Sequence, residues 1–200
     1  MELYLDGQRR EALKGEPFGK TLEALNREAA ASGRAILAVF LDGRELSVEE
    51  EQALLDRPAD GLGRVELRTT PAREWGLDGL GEVPGALAQI GDRFRACAEA
   101  FRQGRLAEGL DQSNAAISAF LRVIQGLTTA ASMARAKVPA GLKESIESVV
   151  GAVRALEAAA RAGDGVAAAD VVEYQLPEAL EALAGLVRTM AAPPRTDQAG

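Results

Sequence analysis

The sequence predicts an α+β protein, with a small mixed sheet first and packed helices after it. Short apolar segments separated by Gly-containing turns fill residues 1–70, which is typical of strands. Beyond residue 71 the apolar residues recur every three or four positions, as on helices. The chain has 200 residues, of which 47% are hydrophobic and 26% charged. This composition is that of a folded globular protein rather than a disordered one.

The chain is predicted to begin with a β-hairpin. Residues Glu2 to Leu5 alternate and lead into Asp6-Gly7, a dipeptide that favours the positive φ angles of a tight turn. Residues Gln8 to Leu13 are the predicted return strand. A helix then follows over residues 22–32, with Thr21 as its N-cap and Gly33 in the left-handed conformation at its end.

The remaining elements of this region are a strand, a short helix and a last strand. The continuous apolar run from Ala35 to Leu41 predicts a buried strand. Ser47 and Glu50 fit a capping box, which opens a short helix that Pro58 prevents from continuing. The alternating residues 64–69 form the last predicted strand. Hairpin, helix, strand, short helix and strand is the element order of the β-grasp fold.

Two segments carry a family resemblance in this region. The segment AVFLDGREL (38–46) resembles the third strand and turn of ubiquitin-like domains, and GRVELRTT (63–70) resembles their closing strand. The resemblance implies a β-grasp domain over residues 1–71 that acts as a binding module. It implies no conjugation chemistry, because the last strand continues through Thr70-Pro71 instead of ending in a free Gly-Gly tail.

The second region is predicted to be an antiparallel four-helix bundle over residues 84–192. A Gly-rich connector is expected at 72–83 and a disordered tail at 193–200. Pro177 should kink or break the last helix. The four predicted helices cover about residues 84–103, 106–136, 142–162 and 166–190.

The helical region carries two further resemblances. The segment FRQGRLAEGLDQSNAAISAFLRVIQGL (101–127) is similar to a helix-turn-helix segment of flagellar export chaperones. The segment ADVVEYQLPEAL (169–180), together with the two-part layout, resembles bacterial proteins of unknown activity. The first resemblance implies an export or assembly chaperone.

The residue types exclude several chemistries. The chain has no His and one Cys, Cys97, so His-based triads, intramolecular disulfides and zinc sites are excluded, and no metal is predicted. The segment from Gly15 to Thr21 resembles a phosphate-binding loop but is one residue short, and Pro17 removes an amide donor, so no cofactor is predicted. A net charge of −7 without a basic face argues against nucleic-acid or membrane partners.

The sequence therefore favours a non-enzymatic protein-interaction module, an adaptor or chaperone, that binds a partner protein through the helices or the sheet edge. A cytoplasmic location is expected because no apolar segment follows Met1. Trp75, in the connector, and Tyr174, beside the Pro177 break, are the candidate partner-binding residues.

Two alternatives stay open. One is an enzyme or small-molecule binder that uses a cleft near Trp75, or acid–base chemistry by Asp170, Glu173 and Glu178. The other is a structural homodimer formed through the long second helix.

Overall fold

The computed structural model describes residues 1–13 and 15–191, so the predicted tail at 193–200 lies outside the described residues. The protein is α+β: a five-stranded mixed sheet at the N-terminal end is followed by helices. The chain divides into two compact units, Met1–Trp75 and Gly76–Gly200. We call them the sheet unit and the helical unit.

The sheet unit contains five strands and two α-helices. They are β1 (Glu2–Leu5), β2 (Gln8–Arg10), α1 (Phe18–Ala31), β3 (Arg34–Leu41), β4 (Arg44–Glu45), α2 (Val48–Leu54) and β5 (Arg64–Pro71), with a 3₁₀ turn at Ala59–Gly61. The strand order is β2-β1-β5-β3-β4. β1 and β5 pair in parallel and all other pairs are antiparallel.

One face of the sheet packs on α1. Strand residues alternate between the two faces, so every second side chain of β1 and β5 enters the core. Phe18 and Leu25 of α1 meet them there. The strand residues of this core include Leu3, Leu5, Val39, Val65 and Leu67, all at most 6% exposed.

The local signals of this unit are largely confirmed. Asp6 and Gly7 have φ angles of 49° and 76°, as a tight hairpin turn requires. The capping box is present, since Ser47 Oγ accepts from the Glu50 amide and the Glu50 carboxylate accepts from the Ser47 amide. Gly33 has a φ of 69° and lies just after α1, in the predicted left-handed conformation.

Two predicted boundaries in this unit are wrong. Thr21 is not an N-cap, because α1 begins at Phe18 and Thr21 is buried inside it. The amides of Phe18 and Gly19 instead donate to the carbonyls of Arg57 and Leu55, partners that local sequence cannot reveal. The return strand ends at Arg10, three residues earlier than expected.

The helical unit is built from long helices. They are α3 (Ala72–Arg102, which begins in the sheet unit), α4 (Leu106–Ala134), α5 (Leu142–Arg161), α6 (Gly165–Asp170), a π-helical turn (Val171–Gln175) and α7 (Leu176–Ala191). Their apolar faces share one core. No described helix is long and apolar enough to span a membrane.

Residues 72–83 were expected to be a Gly-rich connector, but this prediction is wrong because they are helical. They form the first turns of α3, with Pro84 inside the same helix. Gly76 is needed for packing, because a Cβ there would lie 2.5 Å from the Ala134 amide nitrogen of α4. Glycine permits this close approach of backbones, although it weakens the helix by about 1 kcal/mol relative to Ala.

The last predicted helix is divided into three segments, so four continuous helices are not observed. The interruption is the π-helical turn, in which the Leu176 amide donates to the Val171 carbonyl five residues earlier. Pro177 follows at once and has no amide to donate. The predicted break near Pro177 is thus present as a widened turn.

Phe101 is the point where three helices meet. Its ring is fully buried at the end of α3. A Cβ on Gly109 of α4 would come within 2.7 Å of that ring, and a Cβ on Gly165 of α6 within 2.4 Å of the Phe101 carbonyl oxygen. Only glycine allows such a close approach, so Gly109 and Gly165 let the first turns of α4 and α6 pack directly against the end of α3.

Candidate functional site

The largest apolar depression among the described cavities lies where α4 ends and α5 begins. We call it the α4–α5 groove; it has a volume of about 480 Å³. Its walls come from the end of α4, the loop 135–141, the start of α5 and the end of α7. The apolar side chains that line it include Ile124, Leu127, Val138, Leu142, Ile146 and Met190.

The loop that forms one wall begins in an unusual conformation. Arg135 has a φ of 50° at the end of α4, where its amide donates to the Ser132 carbonyl and the Ala136 amide donates to Ala131. These two bonds form a Schellman motif, in which Gly is the usual left-handed residue. A side chain there costs about 1–2 kcal/mol, and such strain is concentrated at functional positions.

Arg135 also lines the groove, together with Thr128 and Ser132. The wall residue Val138 is 60% exposed, although a large apolar side chain at a surface normally gains by burial. The groove therefore combines an open apolar floor with a cation at its rim. This arrangement suits the apolar face of an amphipathic helix.

The α4 side of the groove is positively charged. The chain as a whole carries −7, yet residues 112–143 contain no Asp or Glu. Arg135 and Lys137 lie in the groove loop, whereas Lys143 pairs with Glu147 of α5. A partner helix with acidic residues beside its apolar face would match this rim.

The sequence comparisons match the helical unit. Residues 80–185, more than half of the chain, match the family model described as "Domain of unknown function (DUF8042)". The chain belongs to this family. No curated protein and no solved structure matches the chain. The family region contains every groove residue except Met190, so the groove belongs to the DUF8042 domain rather than to the sheet unit.

The two aromatic residues predicted to bind a partner lie outside this groove. Trp75 is 40% exposed at the end of the sheet unit, and Tyr174 is 61% exposed in the π-helical turn of the DUF8042 domain. Neither lines the α4–α5 groove. Their exposure is compatible with a binding role, and that role stays a prediction.

The carboxylates considered for acid–base chemistry do not form a buried cluster. Glu173 makes an ion pair with Arg102, and both Asp170 and Glu178 are exposed. Among the described residues no group of three or more His, Cys, Asp or Glu side chains could hold a metal ion. Two of the three carboxylates are thus solvent-exposed, and the third is held by a cation.

Cys97 is buried, at 1% exposure. Burial raises the pKa of its thiol, and the hydrogen bond with Ser113 opposes that shift only in part. The thiol donates to the Arg93 carbonyl oxygen at 3.1 Å. A thiol in this state is a packing group rather than a nucleophile.

The sheet unit has a polar cleft of about 240 Å³ beside its first hairpin. Asp6 accepts hydrogen bonds there from the Thr69 amide and hydroxyl, and Arg34 donates to the Thr69 hydroxyl and carbonyl oxygens. Partial burial raises the pKa of the Asp6 carboxyl, but the Thr69 hydrogen bonds and the Arg34 charge outweigh it and lower that pKa. These groups satisfy one another, so the cleft is a structural network.

Sequence reasoning missed most of the groove. The second helix was predicted over about residues 106–136 with no groove on it, and Arg135 and Val138 received no role. One sequence signal pointed to the site: the acid-free stretch 112–143 in an acidic chain. The left-handed conformation of Arg135 had no such signal, because Gly or Asn is the residue expected at a helix C-terminus.

Proposed function

We propose that this chain is a protein-interaction module whose DUF8042 domain binds an amphipathic helix of a partner protein in the α4–α5 groove. The observation that carries the proposal is the open apolar depression of about 480 Å³, with Val138 exposed in its wall and Arg135 at its rim. Helix-in-groove recognition needs such a floor for apolar anchors spaced three and four residues apart. We assign this module to the cytoplasm.

The sheet edges offer a poorer site for a partner. The two edge strands are β2, with three residues, and β4, with two. An added strand would form few backbone hydrogen bonds with β2 or β4, since short edges protect proteins against such pairing. β4 pairs only with Phe40 and Leu41 of β3, so the rest of that β3 edge is longer, but it presents a single exposed apolar side chain, Leu37, and no apolar depression among the described cavities. The groove is therefore the better supported of the two predicted binding modes.

We also assign the sheet unit to the ubiquitin-like β-grasp fold and the helical unit to an antiparallel bundle. Strand order β2-β1-β5-β3-β4, with parallel β1 and β5 on either side of α1 in sequence, supports the first assignment. Long helices around one core, joined by short connections, support the second. On this assignment the sheet unit is a second binding module attached to the groove-bearing one.

The test compares two valines of the DUF8042 domain that are similarly exposed. Val138, 60% exposed, lines the groove, whereas Val166, 68% exposed, does not. Val138→Glu places a carboxylate on the apolar floor and should lower recovery of the partner about tenfold or more in quantitative affinity purification from lysate of the source cell. Val166→Glu should leave recovery unchanged.

Circular dichroism of both variants checks that the fold is kept. Any protein recovered equally by wild type and both variants is not a groove partner. If every recovered protein behaves in that way, the proposed function is wrong.

A further inference from the structure

Helix α4 carries a second apolar stripe beside its buried face. The buried face follows positions such as Ser113, Ala116, Phe120 and Leu127. One residue further along lie Leu110, Asn114, Ile117, Leu121, Ile124, Thr128, Ala131 and Arg135, which we call the α4 seam. Its steps alternate between four and three residues, the spacing of a coiled-coil interface.

The α4 seam is only partly covered within the chain. Leu121, at its centre, is 57% exposed, and Ile117 and Ile124 are half-buried. The seam also continues into the α4–α5 groove, because Ile124, Thr128, Ala131 and Arg135 belong to both. Whatever covers the seam also fills part of the groove.

The charges of α4 favour a particular occupant. Glu108, which pairs with Arg105, and Asp111 lie near its beginning, whereas Arg122 lies at its middle and Arg135 at its end. Two copies of this helix packed in opposite directions bring Asp111 of each beside Arg135 of the other, and their macrodipoles also attract. Parallel packing would place like charges together.

We propose that α4 pairs antiparallel with α4 of a second copy of the chain, so that the groove of each copy receives the first half of the other copy's α4. The inference rests on the proposed function, since it names the helix that the groove binds. The resulting interface is isologous, as in most homodimers.

Antiparallel packing fixes which residues meet. The seam residues occupy two positions of the heptad repeat, and in an antiparallel pair each position faces the other one on the second helix. Leu121 of each copy therefore contacts Ile124 of the other, and Ile117 contacts Thr128. In the same register Leu110 lies against Arg135 of the second copy, and Asp111 lies beside that cation. The apolar layers are thus central and the opposite charges are at both ends.

The first experiment measures the mass of the purified full chain by sedimentation over a dilution series. Wild type should reach twice the monomer mass of 21.0 kDa. Leu121→Glu should raise the dissociation constant about tenfold or more, because two carboxylates would face apolar layers. The control is Leu37→Glu, since Leu37 is 58% exposed but lies on β3 of the sheet unit.

The second experiment determines the orientation. A spin label on Gln112→Cys, an exposed site of α4, lies about 32 Å along the helix axis from its copy in the antiparallel dimer, given a rise of 1.5 Å per residue. In a parallel dimer the two labels are about 10 Å apart. Wild type with Cys97 buried is the unlabelled control.

The outcomes separate this inference from the proposed function. A wild-type monomer at every concentration, a dimer unaffected by Leu121→Glu, or labels side by side overturns the antiparallel self-pairing. Those results leave the Val138 and Val166 comparison of partner recovery unchanged as the test of the proposed function. If Leu121→Glu loses its helical signal, Leu121→Gln takes its place with the same expected direction.

Discussion

Both units expose large apolar side chains, but among the described cavities only the apolar groove of the helical unit is lined by one of them, Val138. The sheet unit fixes its turns with its own polar side chains, as Asp6, Arg34 and Thr69 do beside the first hairpin, and it keeps its edge strands short. The helical unit leaves Leu121 and Val138 exposed and holds Arg135 in the left-handed conformation at the end of α4. This difference supports the proposal that the helical unit binds a helix.

An open groove on the helical unit requires a stable helical core beneath it. Phe101→Ala should lower the free energy of unfolding by about 3–5 kcal/mol, because the buried ring leaves a cavity among α3, α4 and α6. Phe40→Ala should cost much less, since Phe40 is half-buried on the sheet and carries a stacking Arg68. Urea unfolding followed by circular dichroism measures both. Equal losses would mean that Phe101 does not anchor the core.

A sharper test separates strain from binding at the groove. Arg135→Gly should stabilise the fold by about 1 kcal/mol, because Gly adopts a φ of 50° freely, while it weakens dimerisation by removing the rim cation. The matched control is Arg122→Gly inside the same helix, which should destabilise by about 1 kcal/mol. Thermal unfolding and sedimentation give the two readouts. A loss of stability in Arg135→Gly would contradict the assignment of strain.

The smallest expected effect concerns acid stability of the sheet unit. The pKa of Asp6 is lowered below its ordinary value of 3.8, because hydrogen bonds from Thr69 outweigh the effect of burial. A lowered folded-state pKa gives stability that is present above the unfolded value and is lost as pH falls through the folded value.

Asp6→Asn should therefore be less stable than wild type above about pH 4 and should approach it in stronger acid. The measurement is the urea midpoint across that pH range. Asp56→Asn, at an exposed carboxylate of the same unit, is the control. Parallel pH curves for wild type and Asp6→Asn would show that the Asp6 network adds no stability.

The sequence predicted the sheet unit well where the signal is local. Strand β1 has its expected limits, and Asp6-Gly7 and the Ser47 capping box behave as their residue types demand. It failed where distant groups act: the carbonyls of Leu55 and Arg57 move the start of α1 away from Thr21. A local pattern cannot show which carbonyl will meet an amide from another segment.

The candidate site was harder to predict for the same reason. The second long helix was predicted, and its apolar residues differ in exposure: Leu127 is buried, Ile124 half-buried and Leu121 exposed. The periodicity could not tell which of them remain exposed, because exposure depends on where α5 and α7 pack. Residues 72–83 were not predicted to be helical because glycine has a low helix propensity. The close packing of Gly76 against α4 outweighs that penalty.

The π-helical turn at Val171–Gln175 has a consequence for insertions and deletions. Such a turn holds one residue more than regular α-helical winding would need. Deleting that one residue would let regular winding continue from α6 into α7 with their faces unchanged, whereas deleting a second would rotate everything downstream by about 100°, since an α-helix has 3.6 residues per turn. The second deletion would swing Leu180, Leu183 and Val187 away from their buried positions, so the segment between α6 and α7 can lose one residue but not two.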